Sequence, residues 1–229
     1  EVGFEVLYWI PFLSWAVSQH QIDPRRVVAV SRGGPQSWYS GVAGRYLDVF
    51  DHLDMDEFRR MNEWRRIQVG EQKQTVRAAL DNKVLHTVGR ALGEDFAVIH
   101  PSFMYRLFRR FWWGHAPQAW VRRHTSFSQF CGPGPHIAEN AALPREFVAV
   151  KFYFNDGFPP THENRSFVAT LLRAIGRVVP VVALSTGLKL DEHAGCEDVA
   201  TVDIRHLVGP RNNLEVQSAI VARARAFVG

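Results

Sequence analysis

The chain has 229 residues, of which 46% are apolar and 22% charged, with 16 Phe, 7 Trp and 5 Tyr. That composition fills a sizeable core and excludes a mostly disordered protein. The net charge of +4 is too small to indicate nucleic acid by itself, no run reaches the ~18 apolar residues of a membrane-spanning helix, and Cys131 and Cys196 form neither a disulfide framework nor a metal-spaced pair.

Residues 4–19 are apolar almost all round, which predicts a helix buried on most faces, kinked where Pro11 withholds a hydrogen bond from Leu7. Glu1 and Glu5 stand where a secretory signal carries basic residues. Arg26–Ser31 reads as a short buried strand, ended by the turn Arg32-Gly33-Gly34-Pro35. Tyr46–Phe50 is a weaker strand. Asp54 with Glu57 predicts a capped helix from Met55. Val76, Leu80, Val84 and Val88 place a helix over 71–92. Phe96–His100 reads as a strand before Pro101, and 102–113 and 116–124 as two short helices. The run Cys131-Gly132-Pro133-Gly134-Pro135 continues neither helix nor strand, so a domain boundary is expected there, giving lobes 1–143 and 144–229.

In the second lobe Phe147–Phe154 is the most convincing strand. A helix follows over 162–178, then strands at Val179–Leu184 and Thr201–Ile204. Asn212 and Glu215 form a capping pair for a helix through Arg223, and Ala226–Gly229 begins another strand. Strand, helix, strand in succession implies parallel pairing with right-handed crossovers. The fold class is therefore α/β, with parallel sheets flanked by helices.

In such sheets ligands bind beyond the carboxyl ends of the strands. That rule selects the loops Ser31–Ser37, His100–Phe103, Asn155–Thr161 and Ser185–Leu190, with Val208–Asn213 before the last helix. Arg32 beside Gly33 and Gly34 suits an anion or sugar, or is a turn with a solvated arginine. Lys151 lies among apolar neighbours and needs a partner or a ligand; it reaches a diphosphate, or water past a sheet edge. Arg211 precedes a helix N-terminus, which suits phosphate, with simple capping by Asn212 as the alternative. Glu1 or Glu5 serves as an acceptor-binding group or base, or merely complements the helix dipole. His100, at a strand end on the sheet's functional edge, is the best-placed of ten histidines, with a core or capping histidine as the favoured alternative. No metal-ligand spacing and no serine-hydrolase elbow is present. Residues 103–123 interleave Arg106, Arg109, Arg110, Arg122 and Arg123 with aromatics. Such a segment packs its rings inward, lies on an anionic membrane, or stacks nucleobases.

Taken together, EVGFEVLYWIPFL, VVAVSRGGPQSWY, VAVKFYFNDGFPPTHENRSFV and GPRNNLEVQSAIVARARAFVG make the sequence resemble a glycosyltransferase of the GT-B fold. The resemblance covers most of the chain. It implies two facing Rossmann-like lobes, an acceptor-side N-terminal one and a C-terminal one for a nucleotide-diphosphate sugar. It further implies a strand and Gly-containing loop before the first helix, and a Gly-rich turn after AFVG. Neither lies within the chain, so the reading expects a chain lacking segments of its natural protein at both ends. The implied function moves a sugar from the nucleotide donor to a hydroxyl acceptor. No cofactor or metal is expected, because basic side chains and a helix end stabilise the leaving diphosphate. Lys151 and Arg211 would contact the diphosphate and Asn213 the ribose or base. Gly3, Arg32 and Gly33 would line the acceptor side, with Glu5 and His100 as candidate catalytic groups. The expected location is cytoplasmic, in contact with the inner face of a membrane through 103–123. Two other readings stay open: a non-catalytic relative that binds a glycan or protein, and a nucleic-acid binder using 103–123.

Overall fold

The computed structural model describes residues 2–70, 73–130, 142–154, 157–184 and 202–229. The chain divides into two compact units, Glu1–Cys131 and Gly132–Gly229. The seam falls in the Gly-Pro run, earlier than the limit of 143 set from sequence. The expectations for Glu1, Cys131, Asn155, Ser185–Leu190, Cys196 and Thr201 lie outside the described residues.

Unit 1 opens with helix α1, made of Val2–Phe4 in α form, Glu5–Trp9 in π form and Ile10–Gln19 in α form. The proline effect expected at Pro11 takes the shape of this wider turn. Ile10 N–H reaches back five residues to the Glu5 carbonyl, and the α register resumes with Pro11 in its first turn, where a missing N–H costs least. Strands β1 (Val28–Ser31) and β2 (Arg45–Asp48) pair in parallel, with Ser31 opposite Asp48. Helix α2 (Met55–Val69) starts on Asp54, whose carboxylate accepts from the Asp56 and Glu57 N–H groups. Helix α3 spans Ala79–Leu92. It begins later than the expected 71 because Asp81 reaches back to the Ala78 N–H and closes the first turn there. Phe96–His100 forms no strand: neither β1 nor β2 pairs with it, and an unpaired run is not a ladder. Helices α4 (Ser102–Trp112) and α5 (Gln118–Arg123) follow. Met104, Tyr105 and Phe108 of α4 pack on Phe12 of α1 and Val121 of α5, ringed by Phe4, Tyr8, Trp9, Trp15 and Trp120.

Unit 2 is a parallel sheet with a helix on each face. Its strands β3 (Val148–Val150), β4 (Val181–Ala183) and β5 (Ala226–Val228) lie in the order β4-β3-β5. Val202 makes a parallel bridge to Val182 on the outer side of β4. Pleating sends Val148 and Val150 to helix α6 (His162–Gly176), against Val168 and Leu172. Phe147 and Ala149 go to the other face, against Val216 and Ile220 of helix α7 (Asn213–Arg223). Among the described residues no helix is long and apolar enough to cross a membrane.

Candidate functional site

In unit 2 the chain runs outward from β3 through α6 to β4 and on to Val202, then returns through α7 to β5 on the far side of β3. The strand order therefore reverses between β3 and β5. Ligands of open α/β sheets bind at such a reversal, beyond the carboxyl ends of the strands.

Lys151 stands there. Its N–H continues the ladder to the Val228 carbonyl, and its odd position in the pleat points it to the α7 face. The ammonium donates to Gln217 Oε1 of α7 at 2.5 Å and lies 5.2 Å from the Tyr153 ring centre. Asn213, one turn before Gln217 on the same face of α7, is 5% exposed and Gln217 is 6% exposed. Asn213 Oδ1 and Gln217 Nε2 have no hydrogen-bond partner among the described residues. A buried unmatched amide is costly, so a cation, an amide donor and an amide acceptor at one edge make a coherent polar set for a ligand. Arg211 is exposed two residues before α7. Because α7 leads straight into the parallel strand β5, its start lies at the same sheet edge as Lys151. The expected cap does not form. Asn212 Oδ1 accepts from the Gly209 N–H and its amide donates to the Leu207 carbonyl, so the side chain holds the preceding loop and makes no cap bond.

Unit 1 builds a second polar cluster at the carboxyl end of β1. Ser31 Oγ and the Tyr39 hydroxyl both donate to Glu5 Oε1 at 2.6 Å. Glu5 therefore acts through its hydroxyl partners as well as lying near a helix start, and the π turn is what carries it. Burial, then the Glu5 charge, pushes the Tyr39 pKa well up, which keeps its hydroxyl a donor. Asp48, across from Ser31, accepts from the Gly34 N–H at 2.8 Å, the Tyr46 hydroxyl at 2.9 Å and the Phe50 N–H at 2.9 Å. Burial still raises the Asp48 carboxyl above its ordinary range. Gly33 and Gly34 have φ of 81° and 77°, so the turn needs two left-handed residues in a row. The Gly34 donor is engaged by Asp48 and does not face outward. Arg32 leans on α2, its guanidinium carbon 5.9 Å from the Phe58 ring centre. Gly3 is exposed, and a Cβ there would meet nothing within 4 Å. Gly34→Ala should destabilise unit 1 by about 1–2 kcal/mol, the cost of a left-handed non-glycine residue; unchanged thermal melting would contradict this turn.

His100 belongs to a buried ion cluster. Its Nδ1 accepts from the Ser102 N–H at 3.3 Å, and its Nε2 faces Asp81 Oδ1 at 3.5 Å. Asp81 also receives Arg65 Nη2 at 2.5 Å and Gln74 Nε2 at 2.9 Å. Among the described residues no group of three or more metal-ligating side chains gathers.

Gln217, Ser31, Tyr39 and Asp48 were absent from the sequence-derived site. Gln217 carried a readable signal, since it follows Asn213 by four residues on one helix. Ser31 lay inside the selected loop. Tyr39 and Asp48 carried none. The chain matches no family model, no curated protein and no solved structure.

Proposed function

We propose that this chain is a glycosyltransferase that takes a sugar from a nucleotide-diphosphate donor to a hydroxyl acceptor. The observation that carries the reading is the placement of Lys151 where the strand order reverses, on the face of α7 that also presents Asn213 and Gln217. In this reading Lys151 and Arg211 neutralise the diphosphate as it leaves, and the start of α7 adds its N–H groups and dipole. Asn213 Oδ1 accepts from a ribose hydroxyl or a base. Unit 2 thus takes the donor. Unit 1 supplies the acceptor side, with Glu5 the residue best suited to receive a proton, because Ser31 and Tyr39 orient its carboxylate. Gly3 and Arg32 border it in sequence and on β1's loop. His100 is a positioning group for Asp81 in this scheme. No metal enters it.

The test is thermal melting of the chain with UDP, GDP and ADP and their sugars. A ligand that binds the folded state alone, at a hundred times its Kd, adds about 2.7 kcal/mol of stability. At least one nucleoside diphosphate is expected to do this. A chain whose melting moves with free glycans and with no nucleotide would be a carbohydrate-binding relative instead.

A further inference from the structure

Helix α4 turns one face to its core and presents a second, chemically distinct face outward. Phe103, Arg106, Arg109, Arg110 and Trp113 are all exposed, while Met104, Tyr105 and Phe108 are buried. At 3.6 residues per turn the five outward positions fall within an arc of about 120°. Phe103 is 48% exposed and Trp113 58%, large values for rings on an otherwise basic face. The arginines are laid over these rings. The Arg106 guanidinium carbon is 4.8 Å from the Phe103 centre and that of Arg109 is 3.8 Å from the Trp113 centre.

Charge supplies the second argument. From Phe96 to Ala138 the sequence holds no Asp or Glu, yet it includes Arg106, Arg109, Arg110, Arg122 and Arg123. Among the described residues no carboxylate pairs with any of these five; Arg122 Nη2 reaches the Gln118 amide at 3.4 Å instead. Among the described residues the face is cationic without neutralisation, so its complement is an anionic surface.

We infer that this face of α4 docks on an anionic lipid bilayer. Tryptophan, phenylalanine and arginine are the side chains that settle at headgroup level, the rings entering the interface and the guanidinium groups meeting phosphate. A nucleic acid fits less well, because base stacking needs open ring faces, and here Arg106 and Arg109 already cover one face of each exposed ring. The inference stands independently of the donor site in unit 2.

The experiment is co-sedimentation of the full chain with vesicles of phosphatidylglycerol in phosphatidylcholine, beside phosphatidylcholine alone and a single-stranded RNA. Near the surface each arginine contributes a factor of about five, so Arg106→Gln with Arg109→Gln should weaken partitioning about twenty-five-fold. A second variant, Phe103→Ser with Trp113→Ser, should also release the chain from anionic vesicles with its charge intact. Both variants are surface changes, and unchanged melting confirms that each is folded. No binding of the parent to anionic vesicles would overturn the inference. So would equal binding by parent and both variants, or retention on RNA with none on vesicles.

Discussion

Asp81→Ala is expected to destabilise unit 1 by about 3–5 kcal/mol, the cost of leaving one member of a buried ion pair alone. Asp81 and Arg65 have side chains 4% and 5% exposed. The carboxylate answers four groups: Arg65, Gln74, the Ala78 N–H and the facing His100. Removing it strands the Arg65 charge, and Arg65 Nε already lacks a partner among the described residues. It also opens the first turn of α3. A domain has only ~5–15 kcal/mol to lose, so the unit should melt at least several degrees lower. Replacing both Asp81 and Arg65 by Leu should cost less than Asp81→Ala, because no charge remains buried. A variant that melts like the parent would contradict the cluster.

The same carboxylate sets an acid limit. Burial alone would raise its pKa, but His100, the Ala78 N–H, Gln74 and Arg65 together outweigh burial and hold it at about 2, below the ordinary aspartate range. A folded pKa below the unfolded one stabilises the protein above the unfolded value. Asp81 therefore contributes fully above about pH 4, and its share, ~2 kcal/mol, fades as pH falls through 2. Asp81→Asn should flatten that part of the stability profile, measured by urea unfolding across pH.

Much of unit 2 was legible because its pattern is redundant. The alternating run Phe147–Phe154 announces a strand, and its pleat alone separates Val148 and Val150 from Phe147, Ala149 and Lys151. What the run did not reveal is its paired length. Residue pairing ends at Val150, with one further bond from the Lys151 N–H to the Val228 carbonyl, because β4 and β5 are three residues each, and a strand is only as long as its partners. Of the strand expected at Thr201–Ile204, the described residues 202–204 make only the Val202 bridge, at the outer edge beside β4. In unit 1 the helix start at Asp54 was readable from local chemistry, since capping is a short-range effect; its end at Gly70, a left-handed cap, was not read. Glu5, Ser31 and Tyr39 meet across 26 and 34 residues, and no local rule predicts such a meeting. His100 read as a strand end because Phe96–His100 is apolar. It is buried instead in a loop, where its Nε2 faces Asp81 of α3.

The second large effect lies at the proposed donor site, and it bears on the central claim. Lys151 is the cation at the reversal of strand order, and its ammonium is already aimed by Gln217. A diphosphate bound there gains a charge-assisted hydrogen bond, worth about 1.5–3 kcal/mol. Lys151→Met keeps an unbranched stem and removes the charge. Gln217 Oε1 then loses its donor, so melting of the variant is checked first. The deciding measurement is calorimetric titration of UDP, GDP and ADP into the parent chain and into Lys151→Met. The account predicts that the nucleotide bound by the parent binds the variant roughly ten- to a hundredfold more weakly. Equal affinity in a folded variant, or no heat with any of the three in the parent, would contradict it.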